Sequence, residues 1–382
     1  MRSYTELNVE TAVERETGIE EIFGNIERAR MYPFVSIIVP AWNEEAFIAK
    51  TLDSLLAQDY PRNRSEIIVI DDFSTDNTLK IAIRYSEENP TKVKVLSNGS
   101  SHEFKNSALA RRLGMRNAKG EIFINFSAHV LAPKNFVSTL VGKLMSFGDD
   151  VVAVGCRDVP DSNSPLVPRS IYTAMTSFFG GAGTSTIYPS KDCFVDQVAF
   201  AAFRKSIIQK IGGYPLGDDS ELNIIIKRLG YKEYFTNDTF VYYRWRPRSI
   251  AGPNPFIALF KRMIDYGTTR MWHIKKYPSS LKIVYCIPSF LVLTFVITIQ
   301  SYMFHPNSLF TILGFAVLCI YLLLAITSSI YICLASKSLK MIPITLLSYL
   351  TMHFGYGVGF LSGLIKKNNY DKVRVKFSEK NK

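Results

Sequence analysis

Two adjacent carboxylates stand directly after a short run of apolar residues. Asp71 and Asp72 follow residues 66–70, EIIVI, which are predicted to form a buried strand. Bringing two carboxylates together at the end of a buried strand is costly unless something binds there. Asp76 can instead cap the helix predicted to follow, so the structural explanation is preferred for that residue. We therefore expect Asp71 and Asp72 to belong to a binding site.

A second polar loop follows an earlier apolar run. Residues 34–40, FVSIIVP, are predicted to be a buried strand stopped by Pro40, and Asn43 and Glu44 come before a helical pattern. Near a helix N-terminus, where N–H groups are unpaired, a carboxylate such as that of Glu44 can accept hydrogen bonds from a base or a ribose. The alternative for Asn43 is that it only caps the helix. The residues alone leave both interpretations open.

A third cluster of carboxylates opens a predicted helix further along the chain. Asp218, Asp219 and Glu221 follow Gly212, Gly213 and the segment YPLG. The helix dipole favours acids in a first turn, so helix capping explains them without any chemistry. A chemical role for these acids therefore needs further support.

An arginine cluster precedes the most apolar part of the chain. Arg244, Arg246 and Arg248 surround Trp245 and Pro247. Guanidinium groups recognise phosphate through paired hydrogen bonds, so the cluster suits phosphate binding. The alternative is a basic surface patch that faces a membrane.

The elements that position these loops alternate between strands and helices. Their spacing predicts a parallel, open α/β sheet covered on both faces, with ligands bound beyond the carboxyl ends of the strands. The loops that begin at Pro40, Asp71 and Ser127 lie at that edge. The predicted strands are 34–40, 66–70, 93–96, 121–126 and 195–203, the predicted helices are 46–58, 78–88, 107–118, 205–211 and 220–229, and 178–190 is a Gly/Ser/Thr-rich loop.

Composition divides the chain into a soluble part and an apolar part. Residues 1–32 predict an amphipathic helix, 33–250 the α/β domain, 251–280 a juxtamembrane interfacial helix, 281–365 the membrane segments and 366–382 a basic tail. Within 281–365, the stretches 281–304, 309–335 and 339–365 are each long enough to cross a bilayer. The start of the chain has no apolar core typical of a signal peptide, so we expect a multi-pass membrane protein with a cytoplasmic α/β domain.

The net charge of +12 is concentrated beside the apolar stretches. That placement favours membrane lipids as a partner over nucleic acid, for which no recognition motif accompanies the basic residues. Three spans would put the basic tail opposite the α/β domain, against the positive-inside tendency. His353 and several glycines interrupt the third stretch, so we expect it to be a re-entrant or interfacial hairpin; the alternative is a span with an exceptional tail.

The pairing of VSIIVPAWNEE at 35–45 with EIIVIDDFSTDNT at 66–78 resembles the family 2 glycosyltransferases of the GT-A fold. The resemblance continues through NSALAR at 106–111 and AKGEI at 118–122 to about residue 266. It implies a nucleotide diphosphate sugar as donor and a polyprenyl phosphate or lipid-linked oligosaccharide as acceptor. The family positions that bind the donor correspond to Pro40, Asn43, Glu44, Asp71, Asp72, Arg111, Ser127 and His129.

In that family the fourth strand ends in Asp-Ala-Asp, whose carboxylates hold a divalent cation on the diphosphate. This chain has Ser127, Ala128 and His129 there. Some family members, which resemble the succinoglycan-biosynthesis glucosyltransferases, have Asp-Ala-His at this place and so share the histidine. A Mg²⁺ or Mn²⁺ cofactor is therefore in doubt. His129 could ligate a metal through a neutral nitrogen or donate a hydrogen bond to phosphate.

The resemblance also assigns roles to the later clusters. Asp219 matches the family's catalytic base, which takes a proton from the acceptor hydroxyl as the anomeric centre inverts. Arg244 and Trp245 match part of a Gln-x-x-Arg-Trp motif, and Val241 replaces its glutamine, which argues against a processive synthase. With Arg246 and Arg248, they are expected to bind the acceptor or its phosphate. The alternative is a catalytically degenerate domain that binds a nucleotide or a partner without transfer.

Overall fold

The computed structural model describes residues 32–97, 107–181, 189–215, 219–245 and 254–366. The amphipathic helix predicted at 1–32 and the basic tail at 366–382 lie outside these ranges, apart from one boundary residue each. Asp218, Arg246, Arg248 and most of the Gly/Ser/Thr-rich loop also lie outside them.

The strands of the described ranges form one mixed sheet in the order β3-β2-β1-β4-β8-β6-β9-β5, with β7 paired to β9. The first four strands pair in parallel, close to their predicted bounds, and β6 pairs in parallel with β9. Antiparallel pairing joins the remaining neighbours. The strands are β1 Val35–Ala41, β2 Ser65–Asp71, β3 Val93–Ser97, β4 Ile122–Asn125, β5 Val130–Leu131, β6 Val151–Pro160, β7 Cys193–Val195, β8 Ala202–Arg204 and β9 Lys232–Tyr243.

Helices cover both faces of the sheet, as predicted. Side chains alternate along β2, so that Ile67 and Val69 pack with α1, α2 and α4, while Ile68 and Ile70 pack with α3, α7 and α8. The helices of this domain are α1 Ile48–Leu56, α2 Thr78–Glu88, α3 Ser107–Arg116, α4 Phe136–Met145, α5 Leu166–Thr176, α6 Phe178–Gly181, α7 Lys205–Lys210 and α8 Asp219–Arg228.

The strand predicted at 195–203 is wrong as a single element. β7 ends at Val195 and pairs with β9, whereas β8 begins at Ala202 and pairs with β4 and β6. Between them Phe200 has a φ of 45°, a left-handed conformation that interrupts extended backbone. α4, β6, α5 and β9 lie within 136–176 and 232–243, for which no element was predicted.

Four long helices follow the α/β domain: α9 Pro255–Lys276, α10 Ile287–Phe304, α11 Leu309–Ala335 and α12 Ile342–Ile365. The segments Ile283–Phe304, Leu309–Ala335 and Leu339–Ile365 are long and apolar enough to cross a membrane. The hairpin predicted for the third segment is wrong, because α12 is one uninterrupted helix of 24 residues. Its glycines do not break the helix; Gly355, Gly359 and Gly363 lie where α9 approaches it closely.

Candidate active site

Asn43 joins the loop after β1 to the loop after β2. Its N–H donates to Ser74 Oγ at 3.0 Å, and its Oδ1 accepts the Thr75 N–H at 2.8 Å. Asn43 has a φ of 53°, a conformation that asparagine tolerates better than most residues. The capping alternative does not match this placement, because α1 begins only at Ile48. The two predicted donor-binding loops are therefore held against each other at the carboxyl edge of the sheet.

Glu44 and His129 form a largely buried pair between the first loop and the segment after β4. The two side chains are 4% and 17% exposed, and His129 Nδ1 lies 2.9 Å from Glu44 Oε1. The other ring nitrogen, Nε2, lies 3.4 Å from the hydroxyl of Tyr243, the last residue of β9. Thr78 Oγ1 accepts the Glu44 N–H at 2.6 Å. The arrangement gathers β1, β4 and β9 around His129.

The Asp71–Asp72 pair is buried, with exposures of 2% and 5%. Asp71 Oδ2 accepts the Ser74 N–H at 3.2 Å, whereas its Oδ1 is buried with no hydrogen-bond partner among the described residues. A buried polar atom without a partner is costly, and a ligand that donates a hydrogen bond would remove this cost. Asp72 donates its N–H to Ala41 O at 2.9 Å. Pro40 lies beside this site, opposite Ile70 in the β1–β2 register.

Asp76 has the structural role predicted for it. Its carboxylate accepts the Thr78 N–H at 3.0 Å, at the first residue of α2. Burial disfavours ionisation of Asp76, but hydrogen bonds from Thr78 and from the Glu45 N–H outweigh that effect and lower its pKa. Asp76 is thus a helix cap rather than a ligand-binding residue.

Asp219 begins α8, and its carboxylate is 57% exposed. The buried Tyr214 donates its hydroxyl hydrogen to Oδ1, and Arg111 lies 3.4 Å from Oδ2. Tyr214 in turn accepts a hydrogen bond at 3.2 Å from the amide of Asn125, the last residue of β4. This chain of contacts holds an accessible carboxylate beside the end of β4. The roles of Tyr214 and Asn125 were not predicted. The sequence feature that could have indicated a role for Tyr214 is its position between two glycines and the acidic start of a helix.

Glu221, two residues into the same helix, is buried and ties α8 to the end of α9. It accepts hydrogen bonds from Lys276 Nζ at 2.5 Å and from the Tyr277 hydroxyl at 3.0 Å. Burial opposes ionisation of Glu221, but Lys276 and Tyr277 outweigh it and lower its pKa. Lys276, one of the basic residues that precede the first apolar stretch, is therefore an anchor of the helix that carries Asp219.

The predicted acceptor-binding residues that the structure describes have structural partners. Arg244 Nε pairs with Asp161, whose side chain is 5% exposed. Trp245 is 3% exposed and packs with α5, α9 and α12, with the Arg262 guanidinium 5.3 Å from its ring centre. The prediction that Trp245 contacts the acceptor does not match this placement, because its ring is a packing contact between the domain and the long helices. Arg246 and Arg248 lie outside the described residues.

The side chains around Ser127 and His129 do not assemble a set of metal ligands. No group of three or more His, Cys, Asp or Glu residues able to hold a metal ion exists within the described ranges. Both ring nitrogens of His129 face protein groups, Glu44 on one side and Tyr243 on the other. The arrangement therefore does not fit the metal ligation considered for His129.

Residues 36–212 match the sequence profile described as Glycosyl transferase family 2. This domain belongs to that family, and the chain is a glycosyltransferase. Among its relatives, the Dolichyl N-acetyl-alpha-D-glucosaminyl phosphate 3-beta-D-2,3-diacetamido-2,3-dideoxy-beta-D-glucuronosyltransferase of Methanococcus voltae is 26% identical over 88% of this chain and 98% of its own length. Succinoglycan biosynthesis protein ExoA of Rhizobium meliloti is 25% identical over 63% of this chain and 70% of its own.

A solved structure supports the fold assignment. The mannosyltransferase PcManGT of Pyrobaculum calidifontis, in complex with GDP-Man and Mn²⁺, superposes with a TM-score of 0.54 at 21% identity, covering 88% of each chain. At that identity the likeness shows the GT-A fold alone. The GT-A fold predicted from the paired motifs is thereby confirmed. The family predicted from them is confirmed by the profile match over residues 36–212.

The buried pair after β2 leads to a prediction about donor binding. Asp72→Ala should weaken the binding of a nucleoside diphosphate by at least about tenfold, because a hydrogen-bonded carboxylate contributes roughly 1.5–3 kcal/mol to such a contact. Titration calorimetry on purified protein measures the effect. Asp76→Ala, which removes a helix cap in the same loop, is the matched control and should leave the affinity near that of wild type. Equal affinities for wild type and Asp72→Ala would remove Asp72 from the site.

Proposed function

We propose that the chain transfers a sugar, with inversion, from a nucleotide diphosphate sugar to a lipid-linked acceptor at the cytoplasmic face of a membrane. The observation that carries this proposal is the accessible Asp219 carboxylate, held by Tyr214 and Arg111 beside the end of β4. A helix cap has no need of a buried tyrosine and an arginine that orient it. A general base does, because the direction of its carboxylate decides which proton it can reach.

The donor site is proposed at the loops after β1, β2 and β4. Pro40, Asp71 and Asp72 would face the base and ribose. Asp71 Oδ1, which has no hydrogen-bond partner within the described ranges, supports a hydrogen-bond donor on the ligand there. Asn43 holds the two loops together, and Glu44 orients His129. Ser127 and Arg111 would lie toward the diphosphate, where hydrogen bonds and positive charge offset the charge of the leaving group. His129 would lie beside them, held by Glu44 and Tyr243.

The chemistry of the base favours one class of acceptor. Asp219 would take the proton of an acceptor hydroxyl as its oxygen attacks the anomeric carbon, and the nucleoside diphosphate leaves with the bonding electrons. A polyprenyl phosphate is already an anion and has little need of such a base. A retained and oriented Asp219 therefore supports a lipid-linked sugar as acceptor. The Methanococcus voltae relative is named for transfer to a dolichyl-linked glucosaminyl phosphate, which is an acceptor of this class.

Basic residues support the cytoplasmic placement of the domain. The turn at 305–308 that joins α10 to α11 contains no Lys or Arg, whereas Lys282, Lys337 and Lys340 flank the other ends of these helices. Cations are concentrated in cytoplasmic flanks of membrane segments. The domain side of the α10–α11 hairpin is therefore the side expected to face the cytoplasm.

A second candidate function is nucleotide binding without transfer. Its support is the pairing of His129 with Glu44 and Tyr243 at the position where relatives place metal-binding acids. The two functions separate in one assay. Membranes that contain the overexpressed chain should move labelled sugar from a panel of nucleotide diphosphate sugars into a lipid-extractable product. Tight nucleotide binding with no such product from any donor and lipid-linked acceptor would favour the second function.

Metal removal should affect this enzyme only partly. Ser127 and His129 offer at most one good metal ligand, so EDTA should slow transfer less than it slows relatives with Asp-Ala-Asp. The measurement is initial rate against EDTA concentration, with such a relative assayed in parallel. Complete loss of turnover that Mg²⁺ or Mn²⁺ restores would contradict this expectation.

A further inference from the structure

Both ends of α12 contact elements on the domain side of the molecule. In its first third, Leu346 packs against the cluster that contains Ile171 of α5, and the Tyr349 hydroxyl lies 2.7 Å from Ser177 Oγ, with its ring 4.9 Å from that of Phe179 between ring centres. At its other end, the Gly363 and Leu364 carbonyls accept hydrogen bonds from Lys275 Nζ at 2.8 and 2.6 Å. A helix that crosses a bilayer has its ends on opposite sides. α12 has both ends against the α/β domain or the helix tied to it.

Close packing against α9 continues along the second half of α12. A Cβ at Gly359 would lie 2.2 Å from the Ile264 carbonyl oxygen, and one at Gly355 would lie 2.9 Å from that of Phe260. Residue numbers rise together along this contact, so the two helices run parallel, side by side. Thr268 confirms the register with a 3.0 Å hydrogen bond to Gly359 O. The second half of α12 therefore lies at the same depth in the membrane as α9.

α9 cannot lie in the hydrocarbon core at acceptable cost. It carries Lys261, Arg262, Asp265, Arg270, Lys275 and Lys276. Each such charge at the centre of a bilayer costs about 2.5–3.5 kcal/mol on insertion scales. The Lys276–Glu221 pair also fixes the end of α9 to the α/β domain. A spanning α12 would have to take this charged helix with it or lose the contact.

The outward face of α12 is apolar. Leu347, Val358 and Ile365 are 45%, 38% and 89% exposed, and their spacing of eleven and seven residues places them in one stripe along the helix. α12 itself carries no Asp, Glu, Lys or Arg, so the pair of α12 and α9 together presents the apolar surface and the charged surface that a helix in the plane of a membrane surface needs. Lys261 and Lys275, exposed on the adjacent α9, supply cations for the headgroup region.

We propose that α12 does not cross the bilayer but lies along its cytoplasmic surface with α9, forming a platform whose partner is the lipid surface beneath the α/β domain. Of the helices within the described ranges, only α10 and α11 then cross the membrane, as a hairpin. Lys366 remains on the same side as Lys282, Lys337 and Lys340. The conflict between three spans and the positive-inside tendency disappears. The inference is independent of the sugar-transfer reaction.

A depth measurement tests the orientation of α12. Nitroxide labels are placed singly at Leu347→Cys and Val358→Cys, in a chain whose five native cysteines are replaced, and the protein is reconstituted in vesicles of phosphatidylcholine and phosphatidylglycerol. Eleven residues span about 16 Å along a helix. Collision with oxygen and with a water-soluble nickel complex should report the same shallow depth at both α12 positions. A depth difference approaching 16 Å would overturn the proposal.

A matched control pair lies on α11. Leu313 and Leu324 are 54% and 52% exposed and are also eleven residues apart. Labels at Leu313→Cys and Leu324→Cys should differ in depth, because α11 is expected to cross the bilayer. This pair shows that the method resolves a difference of the expected size in the same protein.

Sidedness gives an independent result. In sealed vesicles, a membrane-impermeant maleimide should label Lys366→Cys from the same side as Glu87→Cys on α2, and Asn307→Cys in the α10–α11 turn from the opposite side. All three positions are exposed. Labelling of Lys366→Cys together with Asn307→Cys would show that α12 spans, and the proposal would be wrong.

Discussion

Replacing Asp219 by asparagine should lower sugar transfer by roughly a hundredfold or more, the usual scale of general-base catalysis. Asparagine keeps the shape of the side chain and an oxygen that can still accept the Tyr214 hydrogen bond. It cannot take a proton. Donor affinity should change little, because a base acts in the transition state and adds little to ground-state binding. Initial rates and donor affinity, measured side by side, give the result.

A helix cap would behave differently, since asparagine caps about as well as aspartate. Asp76→Asn is the matched control, because Asp76 does cap a helix, and its turnover should remain near that of wild type. Near-normal turnover of Asp219→Asn would contradict the assignment, and Asp218 would then become the residue to test. Loss of donor affinity in parallel with rate would indicate a structural role instead.

The parallel half of the sheet could be predicted because its signals are local. Each of β1, β2 and β4 is a short apolar run that ends at a polar loop, and the ligand-binding edge follows from parallel pairing. The later half depends on contacts between distant residues. β8 lies between β4 and β6, and the left-handed Phe200 separates it from β7. No periodicity in the sequence indicates this strand order or the break at Phe200.

In the candidate site, too, some residues could be predicted from local sequence patterns and others could not. Asp71, Asp72 and Asp219 stand beside recognisable local patterns, and the structure places them at the expected edge. Trp245 has the motif expected of an acceptor contact, yet its surroundings come from α5, α9 and α12, which no local pattern reveals. The Glu221–Lys276 pair likewise joins residues that are far apart in sequence. Such pairings are visible only once the helices have packed.

That pair leads to a second expected result: Lys276→Met should destabilise the protein by roughly 1–3 kcal/mol and reduce transfer. Breaking a fully buried ion pair costs about 3–5 kcal/mol, and a surface pair is worth about 0–1 kcal/mol. Glu221 is 6% exposed in its side chain and Lys276 is 48% exposed, so the cost falls between these limits. Transfer falls because α8 loses its anchor two residues after Asp219. Denaturant unfolding in detergent and initial rates provide the measurements.

Stability measured at acid pH distinguishes a contribution from the Glu221–Lys276 ion pair from a contribution of side-chain packing. The pKa of Glu221 is lowered in the folded protein, so the pair stabilises the fold at pH values above the unfolded pKa of about 4.3 and loses that effect as pH falls through the folded value. The stability difference between wild type and Lys276→Met should therefore be full at neutral pH and shrink below pH about 4. A difference that does not change with pH would mean that Lys276 acts through packing of its aliphatic chain.

Two further variants serve as controls for Lys276→Met. Lys276→Arg keeps the charge and should restore most of the stability and rate. Lys227 lies on the same helix as Glu221 and pairs with Asp196, which follows β7; both side chains are about half exposed or more. Lys227→Met breaks this pair and should change stability by less than about 1 kcal/mol. A Lys276→Met enzyme with normal stability and rate would show that α8 holds Asp219 without α9. Reduced kcat with unchanged donor affinity, rescued by arginine, would show that the helix beside the membrane positions the catalytic carboxylate.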